Sequence, residues 1–443
     1  MRIKRARRAG RRSPLALYDT VLFDLDGTLT DSAEGILRSV DYALEHMGYP
    51  LVPEHQRRLY VGPPLLDSFQ KLNGMTPEQS LEGVRLFRER YNKIGWMENR
   101  VYTGIPRMLR ALKAQGVRLA VATAKPVAFA EQVIECFGLM PYFDCISSAP
   151  MDESGLPKEE LIRRALTGSD GRVAMVGDRL YDIEGAKRAG VDAIGALYGY
   201  GSREELERAG ADAVCDSVES LSRALLGEDS AAPGVFITFE GIDGCGKTTQ
   251  LNMLKDWLEL CGWQPLATRE PGGCKIGEAI RAMLLERAND GMTSECEALL
   301  FAASRAQHTQ TVLRPELERG GMVLGDRYVD SSIAYQGCGR GLGADAVAEI
   351  NRVATRGLVP DMTLYYDLDT DSARRRRAAS GEDDRIEREQ NDFHMRVRAG
   401  FDELARKEPD RVRVLDASLS PDELFERTRA LTMELLANSA KSL

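Results

Sequence analysis

Apolar positions along the chain fall into two alternating patterns. Short apolar runs at Thr20 to Phe23, Leu119 to Ala122, Val173 to Val176 and Val191 to Ile194 each precede a helical segment; the first is followed by Ile36, Val40, Ala43, Leu44 and Met47 at helical spacing. Such alternation predicts a parallel α/β sheet. Between Asp31 and about Arg100 the pattern changes to polar-rich helical segments with no clear strand. That stretch is too long for a strand-to-helix loop, so a helical insertion over about 33–100 is expected. A second series opens at Val235 to Phe239, continues with Leu251, Leu254, Leu258 and Cys261 on one helix face, and has strands near Met322 to Leu324 and Thr363 to Tyr366. Long helices are predicted over 293–318, 344–356, 389–407 and 420–438, dominating a small parallel sheet. Between the two series, GEDSAAPG has the small, polar, proline-containing composition of a linker. The expected organisation is a tail over 1–17, an α/β domain over 18–226, a linker over 227–234 and a second α/β domain over 235–443.

Composition narrows the class. The chain has 443 residues, 43% hydrophobic and 29% charged, with no apolar run approaching the roughly 20 residues needed to span a bilayer. The first 17 residues carry seven Lys or Arg and no acid, so the remainder has a formal charge of -9 minus 7, or -16. An acidic body argues against broad nucleic-acid binding, leaving only the tail, a solvated basic block, as a place for such contact. Eight cysteines at 136, 145, 215, 245, 261, 274, 296 and 338 form no C-x-x-C pair, which fits reduced thiols in a cytoplasmic protein.

Gly241 to Thr249, GIDGCGKTT, satisfies G-x-x-x-x-G-K-[ST] between an apolar strand and an amphipathic helix. Gly241, Gly244 and Gly246 let backbone N–H groups turn toward phosphates, with Asp243, Cys245 and Thr249 completing the loop. The helix N-terminus favours the phosphate charge, Lys247 can reach the β and γ phosphates of ATP, and Thr248 can ligate Mg²⁺. Phe301 and Arg305 stand one helical turn apart, which suits either an aromatic face beside a hydrogen-bond donor or ordinary core packing. Asp326 and Arg327 follow a strand, where a carboxylate can hold Mg²⁺ through water and an arginine can clamp a phosphate; Asp326 alone would read as a turn residue. Arg281 is a second candidate clamp.

The phosphate loop is followed in order by EPGGCKIGEAIR (270–281), LLFAASRAQH (299–308), GDRYVDSSIAYQGCGRGL (325–342) and DDRIE (383–387). With these motifs residues 235–440 resemble the thymidylate kinases. The resemblance implies phosphorylation of dTMP by ATP and a homodimer formed through this half. It gives Phe301 and Arg305 the thymine-stacking and O4 roles, places Tyr335 at the sugar 2′ position and Asp243 at the acceptor sugar or phosphate, and puts Ser332 or Gln336 at the base. Glu270 joins the substrate-binding set. The loop has no arginine, so a lid around Arg374 to Arg377 and Arg385 is expected to supply the catalytic one. One position where lid-type relatives often carry arginine is Ser380, which leaves Arg376, Arg377 and Arg385 as candidates and a solvated helix face as the alternative.

In the first half, Asp24 and Asp26 stand two residues apart after the first apolar run, with Gly27 between them and the helix. One carboxylate can attack phosphorus while the other handles the proton. The string FDLDGT, with Thr123, Lys158, and Gly177-Asp178 with Asp182 following in order, resembles the haloacid dehalogenase superfamily. That resemblance implies an aspartyl-phosphate on Asp24 and Asp26 as acid and then base. It also implies that Thr123 and Lys158 hold the phosphoryl group, and that Asp24, Asp26, Asp178 and Asp182 form the Mg²⁺ region. The segments GPPLLDSF (62–69) and LYGYGSREEL (197–206) are similar to the phosphoglycolate phosphatase or 5′-nucleotidase-like branch, which implies that the insertion is a cap acting on a phosphate monoester. The expectation is a bifunctional enzyme; the alternative keeps the kinase and makes the first domain a scaffold or sensor. Thiol oxidation of Cys245 is expected to obstruct nucleotide approach.

Overall fold

Runs of β-branched and aromatic residues form the central strands of two sheets. In the computed structural model, residues 16–150, 156–169, 171–227, 231–378, 385, 386 and 389–442 are described. The chain divides into two units whose main boundary falls between Ala232 and Pro233. The basic residues of the tail, the centre of the linker, Ser380 and the DDRIE residues other than Arg385 and Ile386 lie outside the described residues, as does the side chain of Arg377.

The first unit contains β1 (Thr20–Phe23), β2 (Thr30–Asp31), β3 (Arg100–Val101), β4 (Arg118–Pro126), β5 (Cys145–Ala149), β6 (Val173–Gly177), β7 (Asp192–Ala196) and β8 (Ala213–Cys215). Six of them form a parallel sheet in the order β5-β4-β1-β6-β7-β8. β1 sits between β4 and β6, so residues leaving its C-terminal end lie beside those leaving its neighbours, where open α/β sheets place their chemistry. Leu22, Ala120, Met175, Ile183, Ala193 and Leu206 pack one core.

The insertion carries helices Ala33–His46, Glu54–Arg57, Leu65–Asn73 and Pro77–Arg90 with a separate core that includes Val40, Leu44, Tyr60, Phe69 and Phe87. Thr76 closes a capping box with Gln79 that starts the last of these helices. The expectation of no strand around the insertion is corrected at its ends. β2 and β3 pair antiparallel, Thr30 with Val101 and Asp31 with Arg100, pinning the two chain crossings together.

The second unit has β9 (Val235–Glu240), β10 (Leu266–Arg269), β11 (Met322–Asp326), β12 (Met362–Asp367) and β13 (Val412–Asp416), all parallel in the order β10-β11-β9-β12-β13. Its long helices include Ser294–His308, Ala344–Thr355, Asn391–Lys407 and Pro421–Lys441. No helix among the described residues is long and apolar enough to cross a membrane.

Candidate active sites

Asp24 is the first residue beyond β1, and its N–H donates to the Val176 carbonyl at 2.9 Å, tying the β1 and β6 ends together. The loop then turns back through Gly27 at φ 79, where an added Cβ would lie 2.2 Å from Asp178 Oδ2; only glycine permits that approach. Lys158 Nζ lies 2.8 Å from Asp24 Oδ1 and 2.6 Å from Asp182 Oδ1. Asp24, Asp178 and Asp182 each offer an oxygen within 4.8 Å of the others. Burial, with Asp182 and Asp26 adding repulsion against the attraction of Lys158, pushes Asp24 up to about 6. Asp178 is raised as well, by burial and then by Asp182 and Asp24. Burial works against the Lys158 ammonium, but the carboxylates of Asp182 and Asp24 outweigh it.

Carboxylates crowded in this way fit a divalent cation, which would remove the repulsion that raises them. The Asp26 carboxylate is not one of the three. Lys125 Nζ lies 3.1 Å from both its oxygens and donates to Tyr91 Oη at 2.7 Å. Tyr91 belongs to the insertion, so this chain of contacts joins the insertion to the loop after β1. Thr123 is buried, and its Oγ1 accepts the Lys125 N–H at 3.2 Å. Lys125 stands two residues after Thr123, on the same side of β4, a period-two signal that the sequence reading passed over. Tyr200 was missed too; its N–H donates to Asp178 Oδ2 at 2.8 Å.

In the second unit the phosphate loop leaves β9 with Gly241, Gly244 and Gly246 at φ 139, 86 and 95. An added Cβ on Gly241 would stand 2.6 Å from the Tyr366 carbonyl. Lys247 Nζ donates to the carbonyls of Gly241 at 3.1 Å and Ile242 at 3.0 Å, centring the ammonium in the loop. Thr248 Oγ1 donates to Asp326 Oδ2 at 2.8 Å, joining the loop helix to the end of β11.

Arg327 donates to the Gly241 carbonyl at 3.2 Å and pairs with Asp243, whose other oxygen accepts Tyr335 Oη at 3.1 Å. Burial tends to raise Asp243, but Arg327 and Lys247 outweigh it and hold the carboxyl well below its usual range. Arg305 is fully buried; four of its bonds go to Glu270, Ser332, Asn351 and the Tyr328 carbonyl. Glu270 also pairs with His308 Nδ1 at 2.9 Å. Phe301 is half-buried on the same helix as Arg305. Gln336 donates to Glu297 Oε1 at 3.0 Å, and Arg281 to the Pro271 carbonyl at 2.9 Å.

A haloacid dehalogenase-like hydrolase family model matches residues 21–196, and a thymidylate kinase family model matches residues 239–428. The thymidylate kinase of Lactobacillus delbrueckii subsp. bulgaricus is 51% identical over 188 residues, spanning 42% of this chain and 89% of that protein. The chain belongs to the thymidylate kinase family. The thymidylate kinase of Clavibacter sepedonicus is 48% identical over 210 residues, 47% of this chain and 99% of that one. Among solved structures, a predicted phosphatase from Clostridium acetobutylicum is 41% identical, covering 47% of this chain and 98% of its own with a TM-score of 0.44. A haloacid dehalogenase-like hydrolase from Streptococcus pneumoniae is 26% identical, covering 47% and 98% with a TM-score of 0.44. The chain is thus a fusion of a haloacid dehalogenase-like hydrolase with a thymidylate kinase.

In the thymidylate kinase half, the two lid candidates with described side chains are placed differently. Arg376 is exposed on the helix Thr370–Ala378, whereas Arg385 is buried, donating to the Leu284 carbonyl at 3.0 Å and to Glu297 Oε2 at 2.5 Å. Arg385 is thereby held by Glu297 and the Leu284 carbonyl. The expectation for Cys245 is corrected. Its thiol is buried with no exposure, and burial raises it above its ordinary value against Lys247 and Arg327, which favours the unreactive protonated form.

Proposed function

We propose that the kinase half transfers the γ-phosphoryl group of ATP to dTMP and that the hydrolase half cleaves a phosphate monoester through an aspartyl-phosphate. The kinase reading is carried by one juxtaposition at the ends of adjacent strands: Thr248 meets Asp326, and Arg327 just beyond β11 shares the Gly241 carbonyl with Lys247. Loop N–H groups and Lys247 hold the donor phosphates, Thr248 and Asp326 would hold Mg²⁺, and Arg327 clamps the acceptor phosphate. With four of the five Arg305 donors spent on protein acceptors, one remains for a thymine carbonyl beside the Phe301 ring. Ile276, Met283 and Leu299, large apolar residues that are exposed in the chain, support a homodimer through this half. ADP formation should be measured with dTMP, dUMP, dCMP and dGMP as acceptors. A preference for dTMP is expected, and activity with none of them would overturn the reading.

In the hydrolase half, Asp24 Oδ attacks phosphorus and the ester oxygen leaves with a proton from Asp26; Asp26 then takes a proton from the water that hydrolyses the acyl phosphate. Lys158 and Thr123 hold the phosphoryl oxygens, and Lys125 orients Asp26. A divalent cation bound by Asp24 and Asp178, with Asp182 alongside, would supply charge neutralisation at the phosphoryl group. Hydrolysing dTMP beside a kinase that consumes it would be futile, so the substrate is a different ester.

The crowded carboxylates make stability depend on pH and cation together. Burial holds Asp24 up to about 6 in the folded protein, above the ordinary aspartate range, so its favourable contribution is fully present below that ordinary range and is lost as pH rises through about 6. In chelator the hydrolase half should melt at a lower temperature at about pH 7.5 than at about pH 5, and Mg²⁺ should raise the melting temperature more at the higher pH. Differential scanning calorimetry checks this, and an equal Mg²⁺ effect at both pH values would refute it.

A further inference from the structure

Glu240 ends the apolar strand β9 and is completely buried between the two neighbouring strands, a placement that a lone carboxylate reaches only when its oxygens are satisfied. Its partners are both in the segment after β11, at the N-cap and inside the short helix Val329–Ser332. Oε1 accepts the Tyr328 N–H at 2.7 Å, and Oε2 accepts the Ser331 hydroxyl. That segment carries Arg327, whose backbone is left-handed at φ 70, a conformation in which a non-glycine residue persists only when its surroundings hold it.

The two bonds lead onward to two different arginines. Ser331 Oγ, having donated to Glu240, accepts from Arg327 at 2.9 Å, while Arg327 also reaches Asp243 and the Gly241 carbonyl. Tyr328, whose N–H donates to Glu240, presents its carbonyl on the other side of its Cα to Arg305 at 2.8 Å. One buried carboxylate therefore braces the segment to which both the phosphate-side and the base-side arginines are attached.

We infer that Glu240 is a positioning residue for the acceptor nucleotide, aiming Arg327 through Ser331 and Arg305 through the backbone of Tyr328. The inference rests on the reading of this half as a dTMP kinase. The donor side depends on it less directly: the Lys247 ammonium is held by the loop carbonyls of Gly241 and Ile242, and of these Gly241 alone also accepts from Arg327. Burial, with Asp330 adding repulsion, pushes Glu240 up to about 7, so a carboxamide of the same shape stands in well for its neutral form. Glutamine keeps an acceptor for the Tyr328 N–H, and its NH₂ group can donate to Ser331 Oγ.

The test is calorimetric binding of dTMP and, separately, of ATP to the full chain and to Glu240→Ala, Glu240→Gln and Ser331→Ala. Glu240→Ala should weaken dTMP binding about tenfold or more with ATP binding held within about twofold, Glu240→Gln should restore most of the loss, and Ser331→Ala should reproduce part of it. Should Glu240→Ala fail to fold, Ser331→Ala and Glu240→Gln decide. Equal losses for both nucleotides, or unchanged dTMP binding in the folded variants, would overturn the inference while leaving the kinase reading intact. A parent protein that binds ATP but not dTMP would bring down the kinase reading and the inference with it.

Discussion

Replacing Asp24 with Asn is expected to lower phosphate-monoester hydrolysis about a thousandfold or more, while ADP formation by the kinase half stays within about twofold. Asparagine keeps the size of the side chain and can still meet Lys158, but its amide oxygen cannot form the acyl phosphate. The second consequence has the opposite sign. Asp24 sits with Asp178 and Asp182 around one ammonium, and burial together with mutual repulsion raises it. Removing its charge should therefore stabilise the hydrolase half in chelator while weakening the response to Mg²⁺. Hydrolysis and melting temperature, measured with and without Mg²⁺, separate these effects. A variant that loses hydrolysis only because it has unfolded would show a lower melting temperature, and one that retains hydrolysis would remove Asp24 from the nucleophile role.

The strands that the apolar pattern revealed are those near the sheet centres. β1, β4, β6 and β7 in one sheet, and β9, β11 and β12 in the other, have neighbours on both sides and show as apolar runs. The four sheet strands that the pattern missed, β5, β8, β10 and β13, are the four edges. Their residues are only partly covered, as in CISSA of β5 and LATR of β10, and an edge strand needs no continuous apolar run. The hairpin of β2 and β3 is two residues on each side, separated by the whole insertion, below what any local pattern can register.

Candidate chemistry was legible where it follows a central strand. Asp24, Asp178 and Asp326 stand at or just beyond strand ends, Thr123 lies in the last half of β4 and Lys247 opens the helix after the phosphate loop; the fold brings Asp24 to Asp178 and Thr248, next to Lys247, to Asp326. Residues whose importance lies in a partner distant along the chain were not legible. Glu240 looks like the polar end of an apolar strand until the start of the helix Val329–Ser332 is folded onto it, and Lys125 looks like a strand-end cation until Tyr91 and Asp26 close around it. The lid arginines form a third case. A charge run on one helix reads the same whether it faces solvent or phosphate, and the burial of Arg385 against Glu297 depends on a helix about 90 residues earlier in the chain.

Lys247→Ala is expected to reduce ADP formation about a hundredfold to a thousandfold, through both weaker ATP binding and loss of charge at the transferring group. The Lys247 ammonium occupies the centre of the phosphate loop, and its bonds to the Gly241 and Ile242 carbonyls are also lost, so the loop loses an internal tie together with its cation. Arg327 remains paired with Asp243 in this variant, so dTMP should still bind; retained dTMP binding with lost turnover distinguishes a donor-side defect from collapse of the site. The same protein isolates the hydrolase, because phosphate released from any ester then comes from Asp24 alone. A panel of phosphate monoesters assayed with Lys247→Ala, and repeated with the added Asp24→Asn change as a blank, should rank some ester above dTMP. If dTMP ranks first, the two halves oppose one another on a shared substrate, and the hydrolase is a brake on the kinase rather than an independent activity.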